Sequence, residues 1–141
     1  RGCAALWIAN RTAENLATLL QALRPIAGRI PLRGFNPAAP PADLPAGLLV
    51  VNATSAGLHA GDPAPIVLSH LSQPAAVYDM IYNPPQTPLL QAAATLGLPQ
   101  ANGLAMLVHQ GAKALEIWSG APAARTAPAM TAALRAAANP A

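Results

Sequence analysis

Three short polar segments of this sequence each follow an apolar run. The segments are Asn10-Arg11-Thr12, Asn52-Ala53-Thr54-Ser55-Ala56-Gly57 and Asp79-Met80-Ile81-Tyr82-Asn83. In open α/β sheets, ligands bind just beyond the carboxyl ends of the strands. The sequence therefore predicts a ligand site that is assembled from three strand-end loops.

Arg11 has the most specific chemistry of these residues. A guanidinium group pairs with phosphate through two parallel hydrogen bonds. At the end of the second strand of a dinucleotide-binding sheet, such a group favours the 2′-phosphate of NADP, whereas a carboxylate there would favour the free ribose hydroxyl of NAD. An exposed turn arginine would be the commoner explanation for Arg11 alone, but the other segments favour the NADP-binding role.

Residues of the third segment and of a later helix could hold the reacting parts of cofactor and substrate. Met80 offers a soft apolar surface for a nicotinamide ring, and the hydroxyl of Tyr82 offers one directed hydrogen bond to a polyol. Gly103, Met106 and Gln110 are separated by three and four residues, which places them on one stripe of a helix. From that stripe the amide of Gln110 can reach a substrate hydroxyl.

Strand-like and helix-like segments alternate around these residues. Short apolar runs predict strands at 4–9, 48–51 and 75–79, with a brief strand near 30–35 and an edge strand near 97–101. Helical spacing predicts helices from a Thr12 cap to a Pro25 stop, from 88 to 96 after a Thr87 cap, from 103 to 118 and from 123 to 138, with a helical turn at 67–71. This alternation predicts a parallel α/β sheet flanked by helices.

Composition narrows the class of protein further. The eight basic residues are scattered along 141 residues of net charge +3, which argues against nucleic acid as the partner. No apolar run approaches the roughly 20 residues that span a bilayer. Cys3 is the only cysteine and is expected in a buried strand, and a reducing cytoplasm is the natural compartment. The first residue is arginine, so we expect the chain to be part of a longer protein.

The three segments, with the third extended to Tyr78–Pro84 and followed by the helical segment Gly103–Gln110, resemble in this order the nucleotide-binding half of shikimate dehydrogenase from Arg1 to about Gly120. The resemblance implies a Rossmann-like fold and hydride transfer between NADP and the pair shikimate and 3-dehydroshikimate, in aromatic amino-acid (chorismate) biosynthesis. It implies a cofactor site at Asn10, Arg11, Thr12, Asn52, Ala53, Thr54, Ser55, Met80, Gly103 and Met106. Tyr82 and Gln110 correspond to substrate-binding positions. Residues 1–120 then form the cofactor domain, and residues 121–141 a C-terminal helix that packs toward the substrate domain.

The chain departs from the family pattern in several places. Asn15 stands where a second basic residue completes the NADP clamp, and Ala105 stands where glycine is commoner. The glycine-rich phosphate loop and the first strand are absent from residues 1–141, and so is the substrate domain with its catalytic lysine and aspartate. We therefore expect no catalytic residue in this chain, and little or no activity from the chain alone.

Other functions remain open at this stage. Quinate can replace shikimate in a relative with the same motifs, and a non-catalytic α/β interaction or regulatory module would keep the fold without the reaction. Glutamyl-tRNA reductase shares an Asn-Arg-Thr turn, but the helix at 103–110 argues against it. His59, His70 and His109 lack metal-site spacing, and Ser55 lacks the turn of a hydrolase nucleophile.

Overall fold

The computed structural model describes residues 3–138, which form five strands and four α-helices. The strands are β1 (Leu6–Ala9), β2 (Leu32–Phe35), β3 (Leu49–Asn52), β4 (Ala76–Asp79) and β5 (Gln100–Asn102). The helices are α1 (Ala13–Ala27), α2 (Pro88–Thr95), α3 (Leu104–Ser119) and α4 (Ala123–Ala138), with a 3-10 turn at Leu68–His70. All strand pairs are parallel. The expected α/β fold with helices on a parallel sheet is confirmed.

The first sheet consists of β1 and β2, with Leu6 opposite Leu32. Helix α1 packs on the face that carries Gly34, where an added Cβ would lie 2.7 Å from Cδ1 of Leu20. On strand β1, the ring of Trp7 meets Phe35 edge to face. Glycine at position 34 thus lets the helix approach the strand closely.

The second sheet has the order β3-β4-β5 and holds the best-buried part of the molecule. Val77 lies at the centre of β4, and Leu89 and Ala93 on α2 pack against it without solvent exposure. Thr87 caps α2, because its hydroxyl accepts a hydrogen bond from the N–H of Leu90. This cap was predicted from the sequence.

Residues of both sheets pack against one core. Trp7 of the first sheet and Val50 of the second both pack against the buried cluster that contains Val77. Within residues 3–138, however, no strand pairs with the free edges of β1 and β3. The usual strand order of such sheets is 3-2-1-4-5-6. In that order one strand lies between the two that correspond to β1 and β3. Leu49 and Val51 of β3, at this free edge, are 63% and 50% exposed.

Helices α3 and α4 pack on each other at the C-terminal side. Val108 and Ala112 of α3 and Ala127 of α4 form a second, smaller buried cluster. Gly120, at φ 73°, ends α3 in the left-handed conformation that glycine adopts without strain. Among the residues searched, no helix is both long and apolar enough to span a bilayer.

Two details of the sequence interpretation were wrong, and a third was confirmed only in part. Pro25 does not stop α1, because it lies in the last turn and the helix runs on to Ala27 before Gly28 at φ 59°. Thr12 occupies the N-cap position, but its side chain makes no capping hydrogen bond. Cys3 is exposed, because β1 begins only at Leu6.

Candidate functional site

The first loop, Asn10-Arg11-Thr12, leaves the end of β1 in a tight turn. The side-chain oxygen of Asn10 accepts a hydrogen bond from the N–H of Thr12 at 2.9 Å, and the N–H of Asn10 donates to the carbonyl of Phe35. Arg11 is exposed and makes no side-chain hydrogen bond or ion pair with residues 3–138. Its guanidinium is therefore available to an external anion. Asn15, in the first turn of α1, is exposed as well.

The second loop is organised by the buried side chain of Asn52, which is 3% exposed. Its oxygen accepts hydrogen bonds from the N–H and the hydroxyl of Thr54, at 3.0 and 2.7 Å. Its amide nitrogen donates to the carbonyl of Ala56 at 3.1 Å and to the carboxylate of Asp79 at 3.0 Å. Residues 53–55 are left exposed at the surface of the loop.

The far end of this loop packs against the start of α2. Gly57, at φ 97°, lies so close to Thr87 that an added Cβ would be 3.3 Å from the Cβ of that residue. Asp62 accepts hydrogen bonds from the backbone N–H groups of Gly57 and His59. The bond from His59 is the main reason that the pKa of Asp62 is lowered.

Asp79, at the end of β4, is fully buried and is held by neutral donors. It accepts hydrogen bonds from the amide of Asn52 at 3.0 Å, the N–H of Ile81 at 3.0 Å and the hydroxyl of Thr87 at 2.6 Å. The ion pairs among residues 3–138 join Arg33 to Asp43 and Lys113 to Glu116 instead. Asp79 thus links two strand-end loops with the beginning of α2.

Backbone contacts bring Asn52, Met80 and Gly103 together. The N–H of Met80 donates to the carbonyl of Asn52 at 3.0 Å, and the N–H of Gly103 donates to the carbonyl of Ile81 at 3.1 Å. Gly103 lies directly against Met80, since an added Cβ would be 2.0 Å from the carbonyl oxygen of Met80. Only glycine fits at this position.

The two expected substrate residues, Tyr82 and Gln110, and the expected cofactor residue Met106 have exposed side chains. Tyr82 follows the Met80 turn, and Met106 and Gln110 lie one and two turns into α3. All three side chains are exposed, and no hydrogen bond joins the polar groups of Tyr82 or Gln110 to residues 3–138. Likewise, no group of three or more metal-ligating side chains occurs in the part of the chain that was searched.

Two features were not predicted from the sequence. One is the bond between Asn52 and Asp79, which face each other in the register of β3 and β4. Polar residues at the ends of two neighbouring strands are the signal that could have indicated it. The other is a cavity of about 430 Å³ on the opposite side of α3 from Gln110, lined in part by Gln100, Ala105 and Arg135.

The molecule thus consists of two open parallel sheets with helices packed on them, an α/β arrangement of the nucleotide-binding type with polar loops at the carboxyl ends of its strands. Comparison with known proteins narrows this class. Residues 103–135 match the profile of the Shikimate 5'-dehydrogenase C-terminal domain. The shikimate dehydrogenase (NADP(+)) of Methylobacterium radiotolerans is 41% identical over 128 residues, which cover 91% of this chain. The chain belongs to the shikimate dehydrogenase family.

Solved structures of a reductase and of a dehydrogenase share this fold. The 5-ketofructose reductase of Gluconobacter sp. strain CHM43 is 34% identical with a TM-score of 0.70, over 90% of this chain and 47% of its own. The quinate dehydrogenase of Corynebacterium glutamicum, solved with NAD, is 26% identical with a TM-score of 0.75, over 93% of this chain and 47% of its own. The chain spans 43% of the M. radiotolerans relative, and so less than half of the protein it resembles.

Proposed function

We propose that this chain is the cofactor-binding part of an NADP-dependent shikimate dehydrogenase, which interconverts shikimate and 3-dehydroshikimate. The observation that carries the proposal is the close packing of Gly103 on Met80, with Asn52 bonded to the same turn. Met80 and Gly103 are positions that the family uses at the nicotinamide end of its cofactor site, and Asn52 is one that it uses between the adenosine and nicotinamide ends. NADP would supply or accept the hydride, and the role of the chain is to hold the cofactor.

The proposed cofactor site runs along the carboxyl ends of the strands. Asn10, Arg11 and Thr12 would hold the adenosine end, and Asn52 with residues 53–55 would line the middle. Met80, Gly103 and Met106 would form the nicotinamide end. Exposure of the loop at 53–55 and of Met80 supports this arrangement, because a flat ligand can lie directly on them.

Preference for NADP over NAD is assigned to Arg11. Its exposed guanidinium, unpaired within residues 3–138, suits a 2′-phosphate. Asn15 lies where a second cation would strengthen the clamp, so we expect discrimination to depend on Arg11 alone.

Tyr82 and Gln110 are proposed to bind the substrate. Both present a hydrogen-bonding group on an exposed side chain, Tyr82 two residues after Met80 and Gln110 two turns into α3, and such groups suit a polyol. The two solved relatives are named for other substrates, 5-ketofructose and quinate. These are also hydroxylated rings or chains, and the residues that tell them apart would lie mainly on the substrate domain.

An N-terminal half is needed to complete the enzyme. We propose that it supplies the substrate domain, the catalytic lysine and aspartate, the glycine-rich loop and a strand between the free edges of β1 and β3. Residues 1–120 would then form one cofactor domain with that strand, and residues 121–141 would face the substrate domain. A cytoplasmic location fits a chain with a single cysteine.

The test uses the full-length protein. By this we mean the chain together with the N-terminal half encoded upstream of it or, if none is encoded, with that of the M. radiotolerans relative. Calorimetric titration should show NADP binding that Arg11→Ala weakens by about tenfold to a hundredfold, as for a lost charge-assisted pair, with NAD binding unchanged. Arg24→Ala, an exposed arginine in the last turn of α1, is the matched control and should change neither.

Turnover separates the remaining possibilities. The full-length protein should reduce NADP with shikimate, while residues 1–141 alone should not, and Gln110→Ala should raise the KM for shikimate. Faster turnover with quinate, or reduction of 5-ketofructose, would change the substrate but keep the cofactor role. A folded full-length protein that binds neither NADP nor NAD would instead support the non-catalytic module.

A further inference from the structure

The buried polar group at the junction of the two loops has no part in the proposed reaction. Asp79 and Thr87 are fully buried, and Asn52 is nearly so. Burying a carboxylate is costly unless its oxygens are hydrogen-bonded, so such a group is retained where its bonds fix a structure. We propose that Asp79 is a positioning residue that holds the loop at 52–57 and the turn at 80–82 in their cofactor-binding arrangement.

The two oxygens of Asp79 have different partners. Oδ1 accepts hydrogen bonds from the amide of Asn52 and from the N–H of Ile81. Oδ2 accepts the hydrogen bond from the hydroxyl of Thr87. The Oδ1 side therefore faces the loop and the turn of the cofactor site, and the Oδ2 side faces the cap of α2.

The Oδ1 side orients Asn52 and, through it, the loop. With its amide nitrogen held by Asp79 and by the carbonyl of Ala56, Asn52 directs its oxygen to the N–H and hydroxyl of Thr54. The hydroxyl of Thr54 in turn accepts a hydrogen bond from the N–H of Ala56. Removal of the carboxylate would leave the amide of Asn52 short of a partner and free to rotate.

The same oxygen also shapes the turn that presents Met80 and Tyr82. The bond from the N–H of Ile81 folds the chain back directly after β4, and the carbonyl of Ile81 accepts from the N–H of Gly103. Asp79 thus acts on the nicotinamide end through Ile81 and on the middle of the site through Asn52. This role of Asp79 rests on the proposed function only for the identity of the ligand, NADP.

Three variants separate this role from a general effect on stability. Asp79→Ala removes both sides of the network. Asp79→Asn keeps an acceptor oxygen for Asn52 and Ile81 and can donate its amide to the oxygen of Thr87. Thr87→Val keeps the shape of the side chain but removes the Oδ2 side and the cap of α2.

Titration of the full-length protein with NADP should divide these variants into two groups. Asp79→Ala should weaken NADP binding about tenfold, because one buried set of hydrogen bonds is lost. Asp79→Asn should bind NADP within about twofold of the wild-type protein. Thr87→Val should lower the melting temperature but leave NADP binding within about twofold. Equal weakening by Thr87→Val and Asp79→Ala would overturn the proposal, as would unchanged binding in Asp79→Ala.

Amide hydrogen exchange provides a test that does not depend on NADP. In the ligand-free full-length protein, Asp79→Ala should accelerate exchange at the N–H groups of Thr54 and Ala56 about tenfold, and Thr87→Val should do so at Leu90 instead. If Asp79→Ala fails to fold, Asn52→Ala removes the bond from Asn52 to Oδ1, leaves the bond from Ile81, and should accelerate exchange at Ala56. Slow exchange there in a folded variant would contradict the proposal, whereas a wild-type protein that binds no NADP would contradict only the proposed function.

Discussion

The two sheets of this molecule differ in how completely they are packed. Helix α2, with eight residues, buries Leu89, Leu90 and Ala93 against the second sheet, whereas α1, with fifteen, has no buried residue. Both helices are amphipathic, so the difference arises from what lies around them. Helix α2 packs against β4, β5 and the 3-10 turn at Leu68–His70, whereas α1 packs mainly against β2.

This difference indicates which part of the proposed site is stably formed in this chain alone. The loop at 52–57 and the turn at 80–82 are held against the buried core by the hydrogen bonds of Asp79 and the packing of Gly103. The Asn10 to Thr12 loop extends from a two-stranded sheet, an arrangement that is marginal alone in water. We infer that the nicotinamide end of the proposed site is already formed in this chain, and that the adenosine end depends on an added strand.

The largest effect is expected at the contact between Gly103 and Met80. In Gly103→Ala, the added Cβ would lie 2.0 Å from a backbone oxygen that cannot move aside, so the start of α3 must move away from the turn that follows β4. We expect a loss of about 4 kcal/mol or more, measured by thermal unfolding of the full-length protein.

Gly111→Ala is the matched control for this clash. Gly111 also lies in α3, but its added Cβ would meet only the sulfur of Met130, at 3.8 Å. Alanine favours a helix over glycine by about 1 kcal/mol, so the control should be neutral or more stable. Equal destabilisation by the two variants would show that α3 tolerates no side chain at either position, and not that Gly103 is special.

Truncation of one leucine in each helix measures the difference between the sheets directly. Leu89→Ala removes a side chain with no solvent exposure from α2 and should cost about 3 kcal/mol in the free energy of unfolding. Leu19→Ala in α1, where the leucine is 41% exposed, should cost less than about 1 kcal/mol. Urea unfolding of both variants is the measurement, and similar costs would mean that α1 is better covered than residues 3–138 suggest.

The sequence predicted the strands and helices well, because each contains a clear run or period of apolar residues. Contacts that depend on register could not be predicted in the same way. That Asn52 faces Asp79 follows from the pairing of β3 with β4, which is set by residues far apart in the chain. Likewise, the position of Pro25 inside α1 follows from Gly28, whose positive φ ends the helix three residues later. The roles of the twelve expected site residues remain predictions.

Gly34 offers a milder version of the Gly103 experiment in the first sheet. The Cβ of Gly34→Ala would lie 2.7 Å from the end of the Leu20 side chain, and side-chain ends can move where a backbone carbonyl cannot. We expect a cost of about 1 kcal/mol, the usual range for overpacking that can relax. A cost as large as that of Gly103→Ala would show that α1 is held as rigidly as α3, and would remove the distinction between the two sheets.

The smallest effect is expected from the ion pair between Arg33 and Asp43 beside the first sheet. Nη1 of Arg33 lies 2.8 Å from Oδ2 of Asp43, but the two side chains are more than half exposed, so water and salt screen the attraction. Asp43→Asn should therefore change the unfolding free energy by less than about 0.5 kcal/mol, measured by urea unfolding at low and high salt. Arg33 also lies 5.0 Å from the ring centre of Trp7, a contact that Asp43→Asn leaves intact and Arg33→Ala removes. If Asp43→Asn were the more damaging of the two, polar contacts rather than burial would hold the first sheet, and an added strand would be less important for its stability.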